Sequence, residues 1–460
     1  MTRVVESTIY EDHMDLIEGE PPPPQDDPRI KKPKDYPITL KVHINERKHC
    51  DNFAELLGRN LSSDETRIRF SRKTKRKTGC RYFENRQDPR KASTTHQSRT
   101  ETQIWGSTTD FRNDPMPQYQ TFDIILADVN EHIAFLRLIK QQLSFETGYT
   151  YFPKTEKTVS KGSFWVSKFE DHQPRYPIFI ISKGRAYSRL TAKALDRMGV
   201  PYRLIIEPQE WDDYETFFDS SQLIVAPFSN HGAGPGRARN LAWDISIAEG
   251  YDAHWVLDDN LRDFYRLHEN RRIRVADGGC FRVMEDFFDR FDNLQIAGPQ
   301  YRFFCAPRSG YPPFVLNTRI YSCLLIRNTC KHRWEGKYNE DTHLSLRVLK
   351  DADCTIQWNE FMQEKMPTQA LSGGNTSEIY HAEYVGDEDE LELGTYHANG
   401  TWNKSLMLTR MHPDVVREPV WKFGRWHHEV DYSPFKNNTL RFKKGCETQD
   451  RRYEFELITL

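Results

Sequence analysis

The chain has 460 residues, of which 37% are hydrophobic and 13% aromatic, a composition that excludes a wholly disordered protein. Its 65 Lys and Arg and 67 Asp and Glu give a net charge of −2, so a nucleic-acid partner would need a local basic patch. No apolar run is long enough to cross a bilayer, and the acidic N-terminus lacks the apolar core of a secretory signal. The eight cysteines form no CxxC pair, which indicates reduced thiols in a cytoplasm rather than a disulfide scaffold or zinc site.

Residues 1–36 are predicted to be a disordered, acidic and proline-rich tail, because they carry too little apolar surface to offset the entropy of ordering. Residues 37–170 are predicted to form a small α+β domain without a catalytic motif. Its elements are two strands and one helix, at Tyr36–Asn45, Thr121–Val129 and Asn130–Phe145.

A basic insert at residues 67–99 is the strongest charge feature of the chain. It contains twelve Lys or Arg and two acids, with three aromatic residues interleaved. One interpretation is an arm that contacts phosphates and stacks on bases, and the other is a solvated loop; the sequence leaves both open. The DNA-binding candidates in this insert are Arg72, Lys73, Lys75, Arg76 and Lys77. A second candidate cluster for contacting DNA is Arg271, Arg272 and Arg274.

Strands alternate with helices after Pro174, a pattern typical of a right-handed βαβ build. We therefore predict an α/β domain over residues 174–440, with a mostly parallel sheet flanked by helices, and a C-terminal extension over 441–460. The predicted strands are Tyr176–Ser182, Val200–Glu207, Gln222–Ala226 and His254–Leu257, and the first two helices are Ser188–Met198 and Leu241–Glu249.

Polar residues follow each of these strands, and the carboxyl ends of parallel strands form the edge at which such sheets bind ligands. After the third strand, Gly232–Asn240 is rich in glycine, then basic, and opens a helix. Backbone N–H groups and arginines there suit a diphosphate. The segment is neither a Walker A loop nor a GxGxxG motif, and an ordinary loop is the alternative.

Apolar residues of the fourth strand run directly into Asp258, Asp259 and Asn260. Mg²⁺ and Mn²⁺ prefer oxygen ligands and bridge nucleotide phosphates with one or two protein carboxylates. This motif favours a metal site over the alternative, an Asp-rich turn or helix cap.

Glu340 and Asp341 directly precede a predicted helix over Thr342–Leu349. Two acids at a helix start can complement the helix dipole, or one can act as a general base toward an acceptor hydroxyl. Spacing does not distinguish these roles.

Taken together, these motifs resemble those of GT-A (Rossmann-related) nucleotide-sugar glycosyltransferases. More closely, residues from about Pro174 to Asn438 resemble the TET-associated glycosyltransferase family of bacteriophages that hypermodify DNA bases. The matching segments are SKGRAYSR (182–189), GPGRARN (234–240), WVLDDN (255–260), YNED (338–341), LSGGNTS (371–377) and HHEVDY (427–432).

The resemblance implies a GT-A-like fold and a metal-dependent enzyme. It would move a sugar from a nucleoside-diphosphate sugar, such as a UDP-sugar, to the hydroxyl of 5-hydroxymethylcytosine in DNA, in the cytoplasm of an infected bacterial host. Asp341, with Glu340 beside it, is the implied catalytic base. The implied ligands of Mn²⁺ or Mg²⁺ are Asp258, Asp259 and Asn260. The late histidine of the GT-A pattern is the fourth implied ligand; His412 is the first candidate for it, and the alternatives are His381, His397, His427 and His428. The implied nucleotide-sugar ligands are Ser182, Arg185, Arg189, Glu207, Arg237, Arg239, Asn240 and Asp259.

Other functions remain open at this point. A GT-A transferase can act on a protein or glycan, a nucleotidyltransferase also uses paired acids and a metal, and a transferase-like fold can serve as a non-catalytic DNA-binding module. The intact acid pairs argue against the last alternative. Neither the sugar, the anomeric outcome nor the oligomeric state follows from the sequence.

Overall fold

The structure is a computed structural model of the chain. The residues it describes are 37–44, 47–71, 79–83, 99–106, 108–113, 120–141, 149–152, 162–230, 232, 234–305, 310–366, 373–374, 401–422, 425–447 and 452–459. The chain divides into two compact units, the first comprising residues 1–94 and 116–159 and the second comprising 95–115 and 160–460.

The strands, in chain order, are β1 Ile38–Ile44, β2 Leu61–Ser62, β3 Arg67–Arg69, β4 Tyr82–Phe83, β5 Gln120–Leu126, β6 Tyr149–Phe152, β7 Ser163–Ser167, β8 Ile178–Ile181, β9 Arg203–Ile206, β10 Leu223–Val225, β11 Ala253–Asp258, β12 Leu261–His268, β13 Arg271–Arg274, β14 Leu294–Tyr301, β15 Phe314–Leu316, β16 Cys323–Arg327, β17 Cys354–Lys365, β18 Val420–Lys422, β19 Arg425–His427 and β20 Phe455–Thr459. The α-helices are α1 Arg47–Leu56, α2 Arg99–Trp105, α3 Val129–Leu138, α4 Leu190–Arg197, α5 Trp211–Glu215, α6 Gly236–Ala248, α7 Gly279–Phe288, α8 Glu340–Lys350 and α9 Thr401–Met411. Short 3₁₀ helices cover Pro208–Glu210, Ser220–Gln222, Arg302–Phe304 and Ser433–Phe435.

The first unit is a small α+β body around a four-stranded sheet of order β3-β5-β1-β6. Alternate side chains of β5 are buried, as the period of two along a strand requires. Asp128 caps α3 by accepting from the backbone N–H of Glu131 at 2.8 Å. The helix ends at Leu138, before the predicted Phe145, because Lys140 takes a positive φ of 54° that cannot continue a helix.

The second unit contains a ten-stranded sheet of order β10-β9-β8-β11-β16-β14-β17-β12-β13, with β15 paired to β17. The four strands that the sequence predicted, β8 to β11, pair in parallel, as does β14 with β17. The remaining pairings are antiparallel, so the sheet is mixed rather than mostly parallel. The predicted parallel part ends at β11 because the next strand of the sheet, β16, pairs with β11 in the antiparallel sense. Beyond it, β12 and β13 form a hairpin through Glu269 and Asn270, both at positive φ.

Helix α6 packs against the parallel half of the sheet, with Ala242 buried against Phe179, Ile205 and Val256. This helix begins at Gly236 instead of the predicted Leu241. The polar residues Arg239 and Asn240 therefore lie inside its first two turns, which fixes the directions in which they point.

Residues 95–115, which the sequence placed in the first predicted domain, group with the second unit. Trp105 and Thr109 both donate to the buried carboxylate of Glu360, at 2.5 and 2.7 Å, and Arg266 donates to the same carboxylate at 2.7 Å. A buried carboxylate needs these donors, so they attach the segment to β17. The predicted C-terminal extension contributes β20, which pairs with β7.

The eight cysteines all lie among the described residues as free thiols, and seven of them are buried. Within the described ranges, no helix is both long and apolar enough to pass through a bilayer.

Candidate active site

The carboxyl ends of β8, β9 and β11 lie side by side, because β8 pairs in parallel with both of the other strands. Ser182 directly follows β8, Glu207 directly follows β9, and Asp258 is the last residue of β11. The polar groups predicted for these strand ends therefore share one edge of the sheet.

The carboxylate of Asp258 lies between two cations. Its Oδ1 accepts from Arg239 Nη2 at 2.7 Å, and its Oδ2 accepts from Lys365 Nζ at 2.6 Å. Burial by itself would raise the pKa of Asp258, but the charges of Lys365 and Arg239 outweigh burial and hold the pKa well below its usual range. Asp258 is therefore ionised at neutral pH.

The guanidinium of Arg239 joins the two predicted acid pairs. Its Nη1 donates to Glu340 at 3.0 Å and also to Asp341, while its Nη2 donates to Asp258. The side chain is only 3% exposed, and its charge lies 4.5 Å from the centre of the Trp334 ring. Asp258 and Asp341 thus lie on either side of a single buried cation.

Asp341 has the titration behaviour of a candidate general base. It lies in the first turn of α8, and its Oδ2 accepts from the backbone N–H of Ser322 at 3.3 Å. Burial, helped by the negative charges of Glu340 and Asp258, raises the pKa of Asp341 to about 7 despite the opposing charge of Arg239. The carboxyl therefore loses its proton near neutral pH, where a general base is most useful.

The glycine-rich segment before α6 packs against the loop that precedes α8. A Cβ on Gly234, which has a φ of +83°, would lie 2.5 Å from the carbonyl oxygen of Lys337. Asn240 donates to the Trp334 carbonyl and accepts from the Trp334 N–H, both at 3.0 Å. The amide of Asn240, a predicted nucleotide-sugar ligand, thus holds this loop in place.

Asp259 is held by the turn after β8. Its Oδ1 accepts from Arg185 and its Oδ2 accepts from Ser182 Oγ at 2.9 Å. Burial raises the pKa of Asp259, although the Arg185 charge opposes that change. The neighbouring Asn260 is also buried, and its Oδ1 has no hydrogen-bond partner among the described residues.

Glu207 organises the polar groups at the end of β9. It accepts from Lys183 Nζ at 2.8 Å, from Gln209 Nε2 at 2.6 Å and from the backbone N–H of Asn230 at 2.8 Å. Burial would raise the pKa of Glu207, but these donors outweigh it and lower the pKa. The carboxylate is therefore ionised and fixed in position.

Gly373 and Gly374 pack on the turn after β8. A Cβ on Gly373 would lie 2.4 Å from the carbonyl oxygen of Gly184, and the Gly374 N–H donates to the Lys183 carbonyl at 2.8 Å. Arg185 Nη2 also donates to the Gly373 carbonyl at 3.2 Å. These contacts explain the two glycines of the LSGGNTS segment, whose other residues lie outside the described ones.

Residues 176–374 match the family described as TET-Associated Glycosyltransferase. The protein is a glycosyltransferase. The matched residues include the strand ends that carry Ser182, Glu207 and Asp258, as well as the acid pair at the start of α8.

No curated protein matches the chain of this glycosyltransferase. A solved structure similar to it comes from Desulfovibrio desulfuricans G20 and is described as a nucleotide-diphospho-sugar transferase. The two share 11% sequence identity at a TM-score of 0.24, over 41% of this chain and 80% of the other. A TM-score this low supports no argument about the site.

Two predicted diphosphate ligands of the glycosyltransferase stack on aromatic rings. The Arg189 guanidinium lies 3.7 Å from the centre of the Phe217 ring, and that of Arg237 lies 5.2 Å from the centre of the Phe228 ring. Arg237 is exposed in the first turn of α6. Of the four predicted arginines, Arg185 and Arg239 are the two that contact the acids.

His412, the predicted late metal ligand, is buried beside another histidine. Its Nε2 lies 2.7 Å from Nδ1 of His343, which belongs to α8. Burial lowers the pKa of His412 to about 4, so the ring is neutral at pH 7. In the part of the chain that the structure describes, no three His, Cys, Asp or Glu side chains are grouped to hold a metal ion.

The five predicted DNA-binding residues of the basic insert, Arg72 to Lys77, lie outside the described residues. A second basic cluster on β13 has protein partners: Arg271 pairs with Glu269 at 2.9 Å, and Arg274 pairs with Asp263 at 2.7 Å. Arg272 donates to the carbonyl oxygen of Arg302 at 2.8 Å.

Sequence reasoning missed Lys365 and Ser322. Lys365 ends β17, and its Nζ donates to Ser322 Oγ at 2.8 Å as well as to Asp258. The available signal was a cation after a segment in which apolar and polar residues alternate. It could not be connected to Asp258 because the two residues are 107 positions apart.

Proposed function

We propose that this glycosyltransferase moves a sugar from a nucleoside-diphosphate sugar, a UDP-sugar, to the hydroxyl of 5-hydroxymethylcytosine in DNA. The family match supports sugar transfer, and the motifs that resemble phage base-modifying enzymes support the acceptor.

The observation that carries the proposal is the bridge made by Arg239. Its guanidinium contacts Asp258, at the nucleotide-binding edge of the sheet, and Asp341, the candidate base. Transfer requires a donor site and a base within one cleft, with the reacting atoms about 3–3.5 Å apart. The shared cation supports that arrangement.

The donor would bind at the ends of β8, β9 and β11. Lys183 and Arg185 supply positive charge there, and Glu207 is an ionised acceptor suited to ribose or base groups. A diphosphate that approaches this edge would compete with Asp258 and Asp259 for their cations.

Asp258 and Asn260 are the residues that fit a divalent cation. The buried Oδ1 of Asn260 lacks a partner among the described residues, and the Asp258 side chain remains 20% exposed. Two protein oxygens together with donor phosphates suit Mg²⁺ or Mn²⁺. Such an ion would supply positive charge to the leaving diphosphate.

In an inverting transfer, a carboxylate oxygen of Asp341 takes the proton of the acceptor hydroxyl. The hydroxyl oxygen then bonds to the anomeric carbon as the bond from that carbon to the diphosphate breaks. Burial, together with the charges of Glu340 and Asp258, keeps the proton affinity of Asp341 high, while Arg239 holds its carboxyl in place.

Mass spectrometry of nucleosides provides the test. DNA that contains 5-hydroxymethylcytosine is incubated with the protein, Mn²⁺ and each of a panel of nucleotide sugars. We expect a nucleoside heavier by one sugar residue, and we expect Asp341→Asn to form it about 10²–10⁴-fold more slowly. If the protein transferred sugar to a protein or glycan but not to DNA, the proposed acceptor would be wrong, and the enzyme would be a GT-A transferase that acts on a protein or glycan.

A further inference from the structure

A pocket of about 380 Å³ lies in the second unit, and it is distinct from the residues proposed to hold the donor and the metal ion. Its wall includes aromatic and polar side chains, among them Gln300, Phe304, Arg319, Tyr321, Gln357 and His428. The volume is near the lower end of the roughly 300–1,000 Å³ of small-molecule sites, which suits a compact ligand.

The pocket adjoins the acid pairs through Ser322. Tyr321 lines the pocket, and the next residue, Ser322, donates its backbone N–H to Asp341 and accepts from Lys365 at its Oγ. Tyr301 reinforces this connection, since its hydroxyl lies 2.6 Å from Ser322 Oγ and its ring centre lies 4.2 Å from that of Tyr321. The pocket wall therefore includes the chain neighbour of Ser322, a residue that contacts the candidate base directly.

Donor and pocket residues occupy different parts of the sheet. The donor candidates at strand ends follow β8, β9 and β11, whereas Gln300 lies on β14 and Gln357 on β17. In the strand order β9-β8-β11-β16-β14-β17, the pocket strands come after β11, the strand that ends in Asp258. An acceptor in the pocket would therefore approach the acids from a part of the sheet that the donor candidates do not occupy.

The wall combines flat rings with fixed amides. Gln300 Nε2 donates to Gln357 Oε1 at 2.6 Å, and Gln300 Oε1 accepts from the Tyr321 hydroxyl at 2.9 Å. Phe304 presents its ring with 47% of its surface exposed. The buried Nε2 of His428 has no hydrogen-bond partner among the described residues, and burial lowers the pKa of His428 to about 3, so the ring is neutral.

We propose that this pocket holds the acceptor nucleobase, extruded from the DNA, with Phe304 and Tyr321 stacking on it and Gln300, Gln357 and His428 contacting its polar edge. A planar heterocycle with donors and acceptors on its rim matches aromatic faces and amides of this kind. The inference rests on the proposed function, because it takes the acceptor to be a modified base.

The test compares Phe304→Ala and Gln300→Leu with wild type, using a duplex that contains one 5-hydroxymethylcytosine. Loss of one stacked base corresponds to 1–3 kcal/mol, so we expect Phe304→Ala to raise the KM for DNA by roughly 5-fold to 140-fold. Phe304 is half exposed, so its loss leaves folding intact. Tyr251→Ala, an exposed aromatic before the opposite end of β11, is the matched control and retains the wild-type KM.

A 2-aminopurine placed next to the target base reports extrusion by an increase in fluorescence when the wild-type enzyme binds. Wild-type KM in both pocket variants, or no increase in fluorescence, would overturn the pocket assignment while leaving sugar transfer to DNA established. A wild-type enzyme that transfers sugar to no DNA would instead overturn the proposed function, and the pocket assignment with it.

Discussion

Replacing Arg239 by methionine removes the charge that three acids share. The substitution keeps a long apolar side chain beside Trp334, while Asp258, Glu340 and Asp341 lose their common donor. Lys365 still pairs with Asp258 in this variant, so Glu340 and Asp341 are the acids that lose most of their compensating positive charge. We expect both the stability of the second unit and sugar transfer to fall.

The size of the loss follows from burial and charge. At an effective dielectric constant of about 20, two unit charges about 4 Å apart attract by roughly 4 kcal/mol. Desolvation of the charges offsets much of that attraction, but removing one partner of a buried pair leaves the other uncompensated and costs roughly 3–5 kcal/mol. We expect Arg239→Met to lower the free energy of unfolding by that amount.

Urea unfolding followed by tryptophan fluorescence measures this loss. Arg237→Met is the matched control on the same helix, and we expect it to cost less than about 1 kcal/mol because Arg237 is exposed and makes one cation–π contact. Arg239→Lys should fall between the two variants, since an ammonium is a point charge that cannot bridge three carboxylates as a guanidinium does.

The pH dependence of the loss tests its cause. The pKa of Asp341 is about 7 with Arg239 present, and loss of that charge should raise it further. Lowering the pH to 5 therefore protonates this acid in the variant and removes the repulsion left by the lost cation. The variant should therefore lose less free energy of unfolding at pH 5 than at pH 8. A loss below about 1 kcal/mol, or one that does not change between these pH values, would refute the bridging role of Arg239.

Asp341→Asn should lower kcat by about 10²–10⁴-fold. The wild-type kcat should rise with pH through about 7, and a rise that persists in the Asn variant would remove Asp341 from the role of base. Alanine at both Asp258 and Asp259 should abolish metal-dependent hydrolysis of the donor, and sugar transfer by that double variant in the presence of EDTA would exclude the metal proposal. Neutralising the basic insert should weaken DNA binding and flatten its dependence on salt, with about 0.9 lost from the log–log slope for each phosphate contact removed. The residues to replace are Arg72, Lys73, Lys75, Arg76 and Lys77. If the slope of log affinity against log salt concentration did not change, the insert would be a solvated loop that does not contact DNA.

The local pattern predicted the parallel half of the sheet well. β8, β9 and β10 lie within their predicted segments, and β11 extends its segment by one residue at each end. A short apolar run bounded by turn residues defines a buried strand by itself. The pattern did not predict β12 to β17 or the mixed pairing, since hairpin and crossover connections depend on which strands meet after collapse.

The candidate site was predicted in part. The resemblance implied a metal ligand at Asp258 and a base at Asp341, and the structure joins these two acids through Arg239. Asn240 and His412 stay predictions as ligands, and the structure places their side chains against Trp334 and His343. Residue type and spacing indicate what a side chain can do, but not which distant partner it contacts.

By itself, the sequence determined that acids follow a buried strand and begin a helix, because apolar periodicity within a few residues sets where each element ends. The tertiary structure alone decided that Lys365 and Arg239 hold Asp258, and that Arg239 also holds Asp341 from 102 positions away. Segments so far apart in the chain come together through packing of the whole sheet, and burial there gives their charges the strength to set the pKa values of the site.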